Sequence, residues 1–260
     1  MSPATRPEIS LTGKVVLVTG GSTGIGRAIA LASAQAGGDV IITYRAREKD
    51  AAEVGARVRA TGRRAHTLQA DMAEARDIER LGREARDAFG RVDVWINNAG
   101  ADILTGKTAA RSRLEKLDLL LAVDLRGTVL ASWTAVELMR AQGTGGVILN
   151  MSWDHALAGG MKGEYAQLFC AAKGGVSGFS RALARTVAPE IRVNALGPGW
   201  VETAYGATLD PAIKSRVTAS IPLRRWATPE DVAAAAVFLA SDAAAYVTGQ
   251  ILMVNGGAVI

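Results

Sequence analysis

Seven short runs of aliphatic and β-branched residues recur along this chain, and stretches of helical periodicity separate most of them. The runs are residues 14–19 ("KVVLVT"), 39–45 ("DVIITYR"), 65–71 ("AHTLQAD"), 92–100 ("VDVWINNAG"), 146–152 ("GVILNMS"), 191–199 ("IRVNALGPG") and 250–257 ("QILMVNGG"). Between them, residues 26–37, 50–60, 78–89, 114–139 and 169–187 carry apolar positions at helical spacing. Strands that are apolar along their whole length are buried on both faces, and alternation with helices makes their sheet parallel. The order therefore predicts an α/β fold with a doubly wound parallel sheet, three layers (α/β/α) and a single domain over residues 11–260. A length of 260 residues suits one such domain, and no repeat or low-complexity linker divides it.

Composition narrows the function classes. Hydrophobic residues make up 49% of the chain, and the longest apolar run, residues 232–240, is far too short to span a bilayer. A protein that is soluble and cytoplasmic, with no membrane partner, is expected. The opening "MSPATRPEIS" has no apolar leader and reads as a flexible arm over residues 1–10. Cys170 is the only cysteine, which excludes an intrachain disulfide and a thiolate metal cluster, and no metal site is expected. The formal charge is +5, but the basic residues are scattered among acids without interleaved aromatics. That pattern reads as a solvated surface, with a small molecule rather than a nucleic acid as partner.

The stretch "TGGSTGIG", residues 19–26, joins the first strand to the first helix. Gly20, Gly24 and Gly26 permit a tight turn and close backbone approach. The helix start, with Ser22, Thr23 and Ile25, presents free N–H groups to a pyrophosphate. Strand, glycine turn and helix in one unit thus predict a dinucleotide site of the Rossmann type. An acid at the end of the second strand would accept bonds from the adenosine ribose and repel a 2′-phosphate. Here that strand ends "ITYRAR", and Arg45 with Arg47 favours NADP(H) over NAD(H).

The spacing of these glycines resembles that of the short-chain dehydrogenase/reductase family. Further motifs follow in that family's order: "NNAG" at residues 97–100, "AAKGGVSGFSRALA" around Lys173, "IRVNALGPGWVET" at 191–203 and "YVTGQILMVNGG" near the end. The resemblance implies an oxidoreductase in which Asp71, with Met72, contacts the adenine. It also implies that Asn98, Ala99 and Gly100 line the cofactor and that Lys173 holds the nicotinamide ribose. Pro198, Gly199, Val201 and Thr203 would cradle the carboxamide end. A homotetramer, or a dimer, is implied by the same resemblance.

The family's proton-transfer set is altered. Its tyrosine, one helical turn before the lysine, is Phe169 here. Its catalytic serine is Trp153, with Ser152 at the position before it, and its asparagine is Asp124. Candidates for the missing chemistry are Tyr165 one turn before Phe169, the strand-end pair Asp154 and His155, Ser152, and Asp124 beside Lys173. Tyr165 reads mainly as a pocket residue, Cys170 as a packed small hydrophobe and Trp153 as a cover for a flat ligand. The 2,4-dienoyl-CoA reductase branch is similar in its aspartate and its missing tyrosine, and reduction of a conjugated C=C tolerates that loss. The expected function is therefore NADP(H)-dependent hydride transfer to a conjugated alkene or an unusual carbonyl. A dinucleotide-binding sensor without turnover and a non-redox dehydratase or isomerase are the alternatives. The irregular segment 199–225 is expected to cover the site as a lid.

Overall fold

Each apolar run forms a strand in the computed structural model, which describes residues 9–158, 160–204 and 206–260. The strands are β1 (Val15–Val18), β2 (Asp39–Tyr44), β3 (Ala65–Gln69), β4 (Val94–Asn97), β5 (Gly146–Met151), β6 (Ile191–Pro198) and β7 (Ile251–Val254). They make one parallel sheet in the order β3-β2-β1-β4-β5-β6-β7. Strand order reverses between β1 and β4, and a crevice beyond their carboxyl ends is where such a sheet receives a ligand.

Among the described residues the α-helices are α1 (Gly24–Gln35), α2 (Glu48–Ala60), α3 (Ala75–Phe89), α4 (Arg113–Leu120), α5 (Thr128–Ala141), α6 (Ala166–Val187), α7 (Pro211–Ser220) and α8 (Pro229–Ala240). Ile29 of α1, Val54 of α2 and Val232 of α8 pack on one face, where Val16, Val18 and Val94 form the floor. On the other, Ile78 of α3, Ala135 of α5 and Leu183 of α6 pack on Leu17, Trp95 and Ile148. The sheet is thus wound on both sides, as the alternation predicts. Of the expected arm, residues 1–8 lie outside the described residues.

Several polar groups inside the core are paired with one another. Asn97 Nδ2 donates to Asn150 Oδ1 at 2.8 Å and to Ser132 Oγ at 3.0 Å, while Asn150 Nδ2 donates to Ser180 Oγ at 2.9 Å. This buried network ties β4 and β5 to α5 and α6, because leaving any member unpaired costs its full desolvation penalty. The end of β5, where the altered residues begin, is thereby fixed against α6.

Residues Arg113–Ala141 run as one 29-residue helical stretch, with a π-helical turn over Leu121–Gly127 joining α4 to α5. Its length and mean hydropathy of 1.4 would suit a membrane span, but half of its most apolar window is buried within the fold. Val123, Ala131, Ala135 and Met139 pack into the core beneath the sheet, so it reads as a core helix. The π turn carries Asp124. Gly127 of the same turn presses on the Met72 carbonyl, which a Cβ there would approach to 2.4 Å. Such turns add a residue to the helical register and redirect side chains.

Candidate functional site

The glycine turn is built by backbone contact. Thr19 Oγ1 accepts from the N–H groups of Asn98 and Ala99, each at 3.0 Å, and Asn98 Nδ2 donates back to the Thr19 carbonyl at 3.0 Å. Gly26 has no room for a side chain: a Cβ would lie 2.3 Å from the Gly20 carbonyl oxygen and 2.5 Å from Asn98 Nδ2. Gly24 needs its glycine for another reason, a left-handed φ of +53°, and the space above it is open. The methyl of Thr203 is the nearest group, 4.0 Å from where a Cβ would stand. No side chain caps the first turn of α1, which leaves its N–H groups for a ligand.

A cleft of about 620 Å³ runs from this turn across the ends of β1, β2 and β4. Gly20, Ser22, Thr23, Arg45, Asp71, Met72, Asn98, Ala99 and Gly100, all expected from the sequence, line it. Asp71 Oδ1 accepts from Ala73 N–H at 2.9 Å, which holds its carboxylate at the rim. Arg45 and Arg47 are exposed in the cleft wall, and Arg47 is steadied by Asp50 at 3.2 Å.

One wall of the cleft has no counterpart in the sequence reading. Asp102, Thr105, Gly106, Lys107 and Thr108 close it opposite the end of β2. Asp102 shapes that wall by accepting from the N–H groups of Leu104 and Thr105, each at 2.9 Å, and from the Thr105 hydroxyl. Burial alone would push its carboxyl up, but these three bonds outweigh burial and hold it below the ordinary carboxylate value. An aspartate three residues before a threonine was the available local signal.

Beyond the end of β5 stand two buried charges. Lys173 Nζ lies 2.9 Å from Asp124 Oδ2 and donates to the Met151 carbonyl at 3.0 Å. The other oxygen, Asp124 Oδ1, accepts from Ala101 N–H at 2.7 Å. Asp124 is 1% exposed. One carboxylate thus pairs with Lys173 and holds the Ala101 backbone, an ion pair of the kind expected from the position of Asp124 beside that lysine.

Ser152 lies next to Met151 in the chain. It was expected in the catalytic set, and its hydroxyl faces helix α6, 2.6 Å from Ser177 Oγ and 3.1 Å from the Lys173 carbonyl. It anchors β5 to α6. Trp153 and Phe169 meet edge to face with ring centroids 6.2 Å apart, so both altered positions are filled by one aromatic contact. Tyr165 stands at the N-cap of α6, its ring among the apolar residues around Ile103, Leu120 and Leu168. Lys116 Nζ sits 3.9 Å over that ring. Cys170 is half-buried and makes only a weak contact, 3.7 Å from the His155 carbonyl oxygen.

Asp154 is fully buried and His155 mostly so. Asp154 Oδ1 accepts from both the backbone N–H and, at 2.7 Å, the ring Nδ1 of His155. Gly199 packs against the same carboxylate: a Cβ there would stand 3.0 Å from Asp154 Oδ2. Pro198 closes β6 beside it, and Val201 pairs with Ala227 in an isolated bridge. Of the segment 199–225, Tyr205 lies outside the described residues. The rest forms a short 3₁₀ turn and α7, which has no fully buried residue.

A dinucleotide fits these residues. The turn has its uncapped helix end, open space over Gly24 and a cleft that leads to two arginines. Comparison with known proteins agrees. A family model described as enoyl-(acyl carrier protein) reductase matches residues 20–259. The 3-oxoacyl-[acyl-carrier-protein] reductase of Aquifex aeolicus is 36% identical, over 96% of this chain and 99% of that protein. 3β-Hydroxysteroid dehydrogenase 1 of Eggerthella lenta is 35% identical, over 95% and 94%. A short-chain dehydrogenase of Burkholderia cenocepacia solved with NADP superposes with a TM-score of 0.86 at 33% identity, covering 95% of this chain and 98% of that one.

Proposed function

Since the chain belongs to the short-chain dehydrogenase/reductase family and is an oxidoreductase of that type, we propose that it is an NADP(H)-dependent reductase. Its substrate is a conjugated alkene or an unusual carbonyl compound, and its proton-transfer set is its own. One observation carries this reading. The site keeps its lysine, buried against Asp124, while Phe169 and Trp153 occupy the phenol and hydroxyl positions as a packed aromatic pair. A lysine that only bound ribose would not require those two positions to be rebuilt together.

When bound, the cofactor supplies hydride to the electron-poor carbon of the substrate. Arg45 and Arg47 would hold the 2′-phosphate as forked donors. Asp71 and Met72 would meet the adenine, and the first turn of α1, with Ser22, Thr23 and Ile25, the pyrophosphate. Lys173, kept in place by Asp124 and the Met151 carbonyl, would donate to the nicotinamide ribose. Pro198, Gly199, Val201 and Thr203 would border the carboxamide end, and the segment 199–225 would exclude water above it. Tyr165 and Trp153 would line the substrate side. Assembly as a homotetramer is part of the same proposal. Its support is the exposed Trp133 of α5, which contacts Phe179 of α6 at 6.5 Å and leaves an apolar face on both helices.

The test is a fluorescence titration with NADPH and NADH, followed by cofactor-oxidation assays with enones, dienoyl and enoyl thioesters, and simple ketones. NADPH is expected to bind more tightly than NADH. Arg45→Ala should erase about 10- to 100-fold of that preference, the value of one charge-assisted contact of about 1.5–3 kcal/mol. Oxidation is expected with a conjugated alkene or an activated carbonyl. Tight binding without oxidation by any probe would shift the reading to a sensor or to non-redox chemistry, and no binding would overturn it.

A further inference from the structure

The Asp154–His155 pair does something that neither the cofactor cleft nor the Lys173–Asp124 pair requires. Asp154 is wholly buried, and among the described residues the only hydrogen-bond donors to its carboxylate belong to His155. Its second oxygen, Oδ2, is buried with no hydrogen-bond partner, against Gly199. A carboxylate sealed away from water with one oxygen unbonded is expensive to keep for packing alone. Its one persistent effect is to fix the neighbouring imidazole. With Nδ1 held at 2.7 Å by a carboxylate that can only accept, the Nδ1 proton stays and Nε2 becomes the nitrogen that exchanges protons.

The rest of the ring's surroundings place it beyond the end of β5, against α6 and close to the turn that carries Lys173. The Trp153 indole stacks on the imidazole at 5.0 Å with an interplanar angle of 24°, which fixes the ring plane. Trp153 in turn contacts Phe169, one helical turn before Lys173. The backbone of the turn packs on α6 at the same level: Cys170 Sγ lies 3.7 Å from the His155 carbonyl, and a Cβ on Gly174 would lie 3.8 Å from the Ala156 carbonyl. His155 keeps 16% of its side chain exposed, and Nε2 has no partner among the described residues.

We propose that His155 Nε2 is the proton donor of the reduction, with Asp154 as the residue that positions it. The inference rests on the hydride-transfer reading above. In the forward direction a bound nicotinamide cofactor would supply the hydride to the electrophilic carbon and be oxidised in doing so. The electron pair released from the C=O or C=C bond then takes the proton from the imidazolium, so the Nε2–H bond breaks as an O–H or C–H bond forms. The neutral ring, still bonded to Asp154 through Nδ1–H, regains its proton from solvent. Oxidation runs the same transfer backwards, with Nε2 as base.

The experiment has two parts. His66 and His155 are the only histidines, so the ring nitrogens of ¹⁵N-labelled protein give two assignable sets of signals. The neutral His155 ring should carry its proton on Nδ1, and Asp154→Asn should mix the tautomers while exposed His66 stays unchanged. A neutral His155 protonated on Nε2 overturns the proposal without any assay. The second part uses whichever probe of the panel above the wild type reduces. His155→Gln should lower kcat by about 100-fold or more, the usual span of general acid catalysis, with the NADPH Kd within about twofold. Added imidazole should restore part of the rate to His155→Ala, which a purely structural histidine would not allow. Retention of kcat in His155→Gln would overturn this inference and leave the reductase reading standing. NADPH binding without oxidation of any probe by the wild type would sink both.

Discussion

The glycine turn and the region around Lys173 are built by opposite means. At the glycine turn the chain removes side chains, so that Gly20, Gly26, Ala99 and the Asn98 amide approach within contact and leave N–H groups facing outward. Around Lys173 it adds them, burying Lys173, Asp124 and Asp154, stacking Trp153 on His155 and setting it edge to face with Phe169. A ligand at the turn meets backbone, and many sequences could supply that surface. In the second region it meets charges and rings whose placement depends on several partners at once. The first rests on a few glycines in one turn, whereas the second rests on contacts between side chains from several elements.

That contrast should break most visibly at Lys173. Lys173→Met keeps the volume and removes the charge, leaving the Asp124 carboxylate buried with only the Ala101 N–H as partner. Breaking one member of a buried pair costs about 3–5 kcal/mol. Chemical denaturation should show that loss, and NADPH binding should fall with it. If the midpoint moved by less than about 1 kcal/mol, the pair would not be what fixes this end. A double variant, Lys173→Met with Asp124→Leu, should recover most of the stability but none of the turnover, separating the ion pair's structural part from its chemistry.

The glycine end should respond more moderately and by another mechanism. Gly26→Ala places a methyl 2.3 Å from the Gly20 carbonyl oxygen, a backbone atom that cannot swing aside. Overpacking of this kind costs about 1–3 kcal/mol. Because the displaced group is the turn itself, affinity for NADPH and NADH should fall together, unlike the selective loss at Arg45. Isothermal titration of both cofactors would check this, and a loss confined to NADPH would contradict the backbone account.

Legibility in the sequence follows the same division. Gly20, Gly24 and Gly26 sit within one strand–turn–helix unit, and Phe169 and Lys173 are one helical turn apart, so local spacing reveals both. The contact of Ser152 was not legible because its partner, Ser177, is 25 residues away on α6, and no local pattern shows which way a strand-end hydroxyl points. The π turn that carries Asp124 is likewise invisible to a 3.6-residue period, since it inserts a residue without changing composition. The wall formed by residues 102–108 is held by an Asx-type turn from Asp102, a signal present in the sequence but common to many surface loops.

The smallest effect should come from the other buried lysine, and it tests whether burial or pairing makes Lys173 costly to lose. Lys116 is 1% exposed, yet among the described residues no carboxylate pairs with it: Nζ donates to the Ala109 carbonyl at 2.7 Å and lies over the Tyr165 ring. A hydrogen bond from a charged donor contributes about 1.5–3 kcal/mol and a desolvated cation–π contact about 2 kcal/mol. Removing an ammonium from water costs several kcal/mol, so the opposing contributions nearly cancel. Lys116→Met, similar in volume, leaves no charge stranded and should shift stability by about 1 kcal/mol or less, a Tm change of about 2–4 °C in either direction. Differential scanning calorimetry beside Lys173→Met gives the comparison directly. A loss at Lys116 as large as that at Lys173 would mean that burial itself, and not the stranded aspartate, sets the cost at the catalytic end.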